Sequence, residues 1–304
     1  MTDITKYIDL NNGAKMPILG YGTFLAKPEE HQILHDCIVY AVVECGYRHI
    51  DTAKIYENEH IVGAALKECF EKGIKREDLF ITTKLWRDDY EDVEAAMKGS
   101  LEKLQLDYVD LYLVHWMTTE IDFEKCEITG RPLHKVWEDM EALVEKGLTK
   151  SIGVSNCSVM MLIELLAGAK IKPVTNQIEN NPYLSQTELV TFFQKFGVSI
   201  TAYAPIGNSG WTGNNLLDDE VIKEVAEKHS ATPAQIALAW NQSRGVAVIP
   251  KSVTKERIKA NFDSQSVKLD EEDIEKLNAL NCNRRNFDPE QWDHLEFHRL
   301  PFFR

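Results

Sequence analysis

The segment Gly20-Tyr21-Gly22-Thr23-Phe24-Leu25 decides between two folds. It follows the first strand of a long β/α alternation, where a doubly wound dinucleotide fold carries its glycine-rich phosphate turn. Only the first two glycines of that turn are present, and Leu25 stands where the third belongs. The doubly wound sheet is disfavoured, and the surrounding alternation has to be explained another way.

Outward from that segment, apolar runs near 18–21, 47–51, 79–84, 109–114, 150–154, 174–178, 198–203 and 246–249 read as strands. Helical periodicity fills the gaps near 28–45, 57–72, 91–104, 134–146, 158–168, 186–195, 233–243 and 254–261. Ser185-Gln-Thr-Glu188 and Thr232-Pro-Ala-Gln235 both fit a capping box, the second with proline at the first helical position. Eight βα units in about 250 residues is the size and order of a (β/α)8 TIM barrel. A hairpin over 7–10 and 14–16, turning at Asn11-Asn12-Gly13, precedes the barrel. Two extra helices, near 218–229 and 270–280, stand outside the alternation, the second opening at Asp270. No linker, composition shift or internal repeat divides the chain, so a single α/β domain over 1–304 is expected.

Composition removes several function classes. With 34 Lys plus Arg against 48 Asp plus Glu, the net charge of −14 repels nucleic acid and anionic lipid, and no basic run offsets it. No apolar stretch approaches the roughly 20 residues that cross a bilayer. The opening Met1-Thr-Asp-Ile-Thr-Lys lacks the regions of a signal peptide, so a cytoplasmic protein is expected. Cys37, Cys45, Cys69, Cys126, Cys157 and Cys282 show no CxxC spacing and read as reduced thiols. His31/His35 and His294/His298 have helical i, i+4 spacing, but Gln32 stands where a zinc protease motif needs its Glu base, so no metal is expected.

Barrel enzymes place reactive groups at the C-terminal ends of their strands. Here strand two ends in Asp51, strand three in Lys84 and strand four in His115, with Tyr56 five residues past Asp51. A strand-end Asp is also a helix cap, a strand-end Lys also snorkels, and a lone His is also structural. Together the four make a coherent acid. A phenol ionises near pH 10, and an adjacent ammonium lowers that value. Asp51 would keep the buried Lys84 charged, and the imidazole could orient a carbonyl oxygen beside the phenol. The set suits protonation of a carbonyl oxygen as hydride arrives at its carbon.

The chain resembles the aldo-keto reductase superfamily in Gly46-Tyr-Arg-His-Ile-Asp51-Thr-Ala-x-x-Tyr56, Lys84-Leu-Trp86, Leu113-Val-His115-Trp116, Gly153-Val-Ser155-Asn156, Asn176-Gln177-Ile-Glu179 and Ile249-Pro-Lys251-Ser252. The motifs run in family order over nearly the whole chain and are most similar to the aldose and xylose reductase branch. The resemblance implies that Tyr56 is the proton donor, that Lys84 and Asp51 tune it, and that His115 positions the carbonyl. It further implies NADPH, with NADH as the weaker alternative. Ser155, Asn156 and Gln177 match the carboxamide contacts, and Tyr203 matches the aromatic under the nicotinamide, followed by Ala204, Pro205, Ile206 and Gly207. Gly22, Thr23 and Asp51 match the ribose side, while Lys251, Ser252, Val253, Arg257 and Asn261 match the segment around the adenosine 2′-phosphate. Two cations, one of them a planar guanidinium, suit a phosphate monoester. Taken alone, Arg257 would also read as a solvent-facing helix charge, and Ser155-Asn156 as a helix cap.

Phe24, Trp86, Trp116 and Trp211 are expected to wall the substrate pocket beside Tyr56 and His115. Phe24 and Leu25 depart from the branch, which has Trp and Lys there; so do Met117, Cys157 and Ala260. The loops over 117–133 and 207–216 are short for it, which implies a more open site and a weaker clamp on the cofactor. The aromatic tail from Asn286 to Arg304 is expected at the barrel mouth. A small aldehyde or sugar is the expected partner of a monomer or homodimer. Two rivals stand beside this reading: a nucleotide-sensing, non-turnover barrel similar to the potassium-channel β subunits, and an aldolase or isomerase barrel using Lys84 as a Schiff-base amine, which the charge on Asp51 opposes.

Overall fold

The chain enters as a hairpin, β1 (Tyr7–Asp9) antiparallel to β2 (Lys15–Pro17), and then winds eight parallel strands into a ring. The computed structural model describes residues 5–24, 30–122, 124–207, 215–289 and 303. The ring holds β3 (Tyr21–Gly22), β4 (His49–Asp51), β5 (Phe80–Leu85) and β6 (Leu111–Val114). A small antiparallel pair, β7 (Ile121–Asp122) with β8 (Glu127–Ile128), interrupts it. β9 (Ile152–Ser155), β10 (Thr175–Glu179), β11 (Ser199–Tyr203) and β12 (Val246–Val248) complete it. A parallel bridge between Leu19 and Val248 joins the first strand to the last, which makes the sheet a barrel.

Every residue of β4, β5, β6, β9 and β10 is buried, as a parallel sheet covered on both faces requires. Inside, Leu10 and Met16 of the hairpin pack with Phe80, Leu111, Leu113, Val174 and Ala247, so the hairpin plugs the end at which the strands begin. Outside, the helices α1 (His31–Val39), α2 (Glu59–Glu71), α3 (Val93–Leu104), α4 (Leu133–Glu145), α5 (Val159–Gly168) and α6 (Thr187–Lys195) cover the strands. Four more follow: α7 (Glu220–Lys228), α8 (Pro233–Ser243), α9 (Lys255–Asp263) and α10 (Glu271–Asn278).

Two start signals hold and one fails. Thr232 and Gln235 form a reciprocal capping box, as do Asp270 and Asp273. Ser185 caps nothing: Gln186 takes the left-handed region at φ 41°, the helix begins at Thr187 without a side-chain cap, and the Gln186 amide donates to the Glu179 carbonyl instead. Ser155-Asn156 is not a helix cap either, since Ser158 accepts from the Met161 N–H and starts α5. The helix expected over 28–45 runs as α1 continued by a π turn, Tyr40–Cys45; positions 28 and 29 lie outside the described residues. No helix among the described residues is long and apolar enough to cross a membrane.

Candidate active site

The parallel register delivers the chemistry to one end of the barrel. Asp51 closes β4 level with Thr82, Lys84 lies two residues further along β5, and His115 follows β6. Tyr56 comes from a single 3-10 turn, Lys54–Tyr56, which leaves β4 and is braced by a Lys54–Asp89 ion pair.

Lys84 is fully buried; its Nζ donates to Asp51 Oδ1 at 2.5 Å and to the Thr52 carbonyl at 2.8 Å. The other Asp51 oxygen accepts from Gln177 Nε2 at 2.7 Å. Burial pushes the Lys84 ammonium below its ordinary value, and the Asp51 carboxylate opposes that shift. The Lys84 Nζ lies 5.2 Å from the centroid of the Tyr56 ring. The expected lowering of the phenol is not what results. Burial first, and the Asp51 carboxylate next, push Tyr56 well above its ordinary value. Tyr56 is therefore a protonated donor in the free protein.

His115 stands edge to face with Tyr56, 5.9 Å between centroids, and with Trp86 at 5.2 Å. Burial, then the Lys84 charge, push its imidazole well below the ordinary value, so it is neutral. Its Nδ1 is buried without a hydrogen-bond partner among the described residues. Phe24, 42% exposed, packs its ring 5.1 Å from Tyr56. Trp116 is buried, with Tyr90 donating to its carbonyl at 2.5 Å and the Phe303 ring 6.1 Å away. The expected wall thus has three described members, and Trp211 lies outside the described residues, as does Leu25.

The carboxamide candidates form one chain of contacts with this centre. Ser155 Oγ donates to the Gln177 carbonyl at 2.8 Å, Asn156 Nδ2 donates to the His115 carbonyl at 3.1 Å, and the Tyr203 hydroxyl donates to Asn156 Oδ1 at 2.8 Å. Asn156 at φ 54° and Ala204 at φ 45° are both left-handed without being glycine. Asn tolerates that region, but it costs a residue such as Ala204 about 1–2 kcal/mol, and strain of this kind concentrates at binding sites. Gly207 is also left-handed, at φ 71°, with Pro205 buried and Ile206 half-buried before it. Thr23 has a buried hydroxyl without a partner among the described residues. Gly22 has no room for a side chain, since a Cβ would stand 2.6 Å from the Ile249 carbonyl.

The step Gly22-Thr23 connects the two halves of the expected cofactor site. Gly22 N–H donates to the Pro250 carbonyl at 3.1 Å, and Thr23 N–H donates to the Asp51 carbonyl at 3.0 Å. Beyond Pro250, Lys251 is half-buried with Glu30 at 4.0 Å, Ser252 and Asn261 are buried, Val253 is half-buried, and Arg257 is exposed in the first turn of α9.

Two buried polar residues to which the sequence assigned no role, Asn58 and Glu179, hold this site together. Asn58 sits where a helix cap would, but its amide donates to the Thr23 carbonyl at 2.8 Å and its oxygen accepts from Thr52 Oγ1 at 3.2 Å. Glu179, at the end of β10, accepts from the Asn286 N–H, the Asn286 amide and the Phe287 N–H. That grip brings the Phe287 ring 5.5 Å from Tyr203, edge to face. Asn58 follows Glu57 and precedes a helix, which is the signal of a cap, and nothing near Glu179 in sequence points to position 286. Of the tail, 290–302 and 304 lie outside the described residues, His294 and His298 among them. His31 faces His60 instead of converging with His35, which pairs with Asp36 and Glu68.

Comparison with known proteins returns one family. The model of the "Aldo/keto reductase family" matches residues 18–282. An aldose reductase of Encephalitozoon cuniculi is 40% identical over 296 residues, which span 94% of this chain and 97% of that protein. An NAD(P)H-dependent D-xylose reductase of Scheffersomyces stipitis is 38% identical over 325 residues, 97% of this chain and 99% of its own length. In three dimensions, an aldo-keto reductase of Bombyx mori in complex with NADP superposes with a TM-score of 0.88 at 36% identity, covering 95% of this chain and 97% of that one.

Proposed function

The chain belongs to the aldo/keto reductase family, and on that footing we propose that it reduces an aldehyde, or the aldehyde form of an aldose, to the alcohol with NADPH, Tyr56 acting as general acid. One observation carries the assignment of roles: a protonated phenol stands 5.9 Å, ring to ring, from a neutral imidazole and 5.2 Å from a buried ammonium that Asp51 holds in place.

When bound, NADPH supplies the hydride for the carbonyl carbon. Tyr56 gives its proton to the carbonyl oxygen, which is the task a phenol held in its neutral form can perform. As the phenolate develops, the Lys84 ammonium, 5.2 Å from the ring centroid, is fixed in advance and shielded from water, and such fixed charge stabilises without reorganising. His115, being neutral, donates one hydrogen bond toward the same oxygen and does not compete as an acid. Trp86 against its edge keeps the imidazole plane in place. Asp51, Tyr56, Lys84 and His115 are thus the catalytic set, with Phe24, Trp86 and Trp116 beside the substrate.

Ser155, Asn156 and Gln177 would hold the carboxamide, Tyr203 the nicotinamide face, and Gly22, Thr23 and Asp51 the ribose side. Residues 204–207 would line the path of the pyrophosphate, and Lys251, Ser252, Val253, Arg257 and Asn261 the adenosine 2′-phosphate. NADPH is preferred to NADH on the two cations of that last segment. The same reading places the protein in the cytoplasm as one domain over 1–304, a monomer or homodimer acting on a small molecule. A net charge of −14 supports the lack of a nucleic-acid or membrane partner.

Initial rates of NADPH and NADH oxidation with glyceraldehyde, xylose and a small aromatic aldehyde test the proposal. Turnover is expected with at least one of them, faster with NADPH. Tight NADPH binding without turnover on any would favour a nucleotide-sensing barrel, and no binding would remove the cofactor assignment.

A further inference from the structure

Two buried tyrosines, which the proposed chemistry does not use, fasten the 251–261 segment to the barrel. Tyr21, on β3 and 1% exposed, donates its hydroxyl proton to the Ser252 carbonyl at 2.6 Å. Tyr47, also 1% exposed, donates to the Ile258 carbonyl in α9 at 3.0 Å. Their rings meet edge to face at 6.0 Å, and Phe262 closes on Tyr47 at 5.2 Å. Burial raises both phenols, so both hydroxyls are donors at any working pH.

We infer that Tyr21 is a specificity-determining positioning residue for the cofactor: its hydroxyl fixes Ser252 and, with Tyr47 holding the helix beyond, sets the spacing of Lys251 and Arg257 for a phosphate monoester. The inference rests on the proposed reading of that segment. Lys251 stands on a loop and Arg257 on a helix, so the two cations are separate pieces of backbone. A doubly charged group gains most from two cations whose separation is set before it arrives, because a loose loop must be ordered at each binding event. The turn itself is closed internally, with Ser252 Oγ accepting from the Thr254 N–H at 3.1 Å. Backbone bonding holds the segment to the barrel as far as Pro250, whose carbonyl accepts from the Gly22 N–H, and the Tyr21 hydroxyl carries that anchorage past Lys251 to Ser252. A cofactor with a plain ribose hydroxyl there does not use the cation pair and is indifferent to its spacing.

The test is a titration of the full chain with NADPH and with NADH, followed by protein fluorescence, for the native protein, Tyr21→Phe, Tyr47→Phe and Arg257→Ala. Removing one buried hydrogen bond from the anchor predicts that Tyr21→Phe binds NADPH about tenfold more weakly and NADH within about twofold of native. Equal weakening of both cofactors, or no change in either, overturns the inference. Arg257→Ala separates the two layers of the argument. If it leaves the NADPH preference intact, the phosphate reading of the segment fails and the inference with it. If it abolishes the preference while Tyr21→Phe keeps it, only the inference fails. Should Tyr21→Phe not fold, Tyr47→Phe carries the same comparison: selective loss of NADPH supports the anchor, and parallel loss of both cofactors overturns it.

Discussion

Lys84 Nζ and Asp51 Oδ1 stand 2.5 Å apart with neither side chain more than 2% exposed, and the charge of each is the compensation for burying the other. Lys84→Met removes one partner and leaves a carboxylate in the interior with the Gln177 amide as its remaining side-chain donor among the described residues. Urea unfolding should show a loss of about 3–5 kcal/mol, most of it regained in the double variant Asp51→Asn with Lys84→Met. Both variants should be inactive. A double variant as unstable as the single would show that lost packing, and not an uncompensated charge, is the cost.

The grip of Glu179 on Asn286 and Phe287 makes a second prediction. Glu179→Gln keeps the shape but turns one acceptor into a donor facing backbone N–H groups. The local cost is about 1–3 kcal/mol, or roughly 5- to 150-fold in opening. Hydrogen exchange at the Asn286 and Phe287 amides should accelerate accordingly while the β5 amides stay unchanged. Acceleration in β5 as well would mean that Glu179 supports the whole barrel.

His49 predicts a pH dependence of stability. It is 1% exposed, with Nε2 3.0 Å from Thr82 Oγ1, and burial pushes its imidazole down to about 4. Its folded value lies below the unfolded one near 6.5, so on acidification the unfolded chain takes up a proton that the native state refuses. Stability should fall between pH 6.5 and about 4, with His49 contributing about 2 kcal/mol of the loss by pH 5. His115, depressed in the same direction, adds to the slope. His49→Gln should be less sensitive over that window by about the amount stated, and an unchanged slope would contradict the assignment.

The barrel was legible because short β-rich runs alternate with helical periodicity along the chain, and the four residues proposed for catalysis were legible because Asp51, Lys84 and His115 stand at or beside the ends of three of those runs. Other features leave no local trace. The β7–β8 pair has two residues per strand, too few to establish an alternation. Tyr40–Cys45 has the composition of an ordinary helix end and differs only in its hydrogen bonding. The Ser185 signal misled because Gln186 turned left-handed to reach Glu179. Asn58 and Glu179 escaped for a common reason: their partners lie 35 and 107 residues away, and only the closed barrel brings them together. The direction of the Tyr56 shift required knowing how deeply the phenol is buried and that the Asp51 carboxylate lies near it, facts of position and not of residue type.

The most direct measurement compares Tyr56→Phe with the native protein in two readouts on the same samples, NADPH affinity by fluorescence and kcat with glyceraldehyde. A general acid contributes about 10²–10⁴-fold, so kcat should fall by that factor while NADPH affinity stays within about twofold. A variant that retains native kcat would contradict the account, because the proton would then come from a group other than Tyr56.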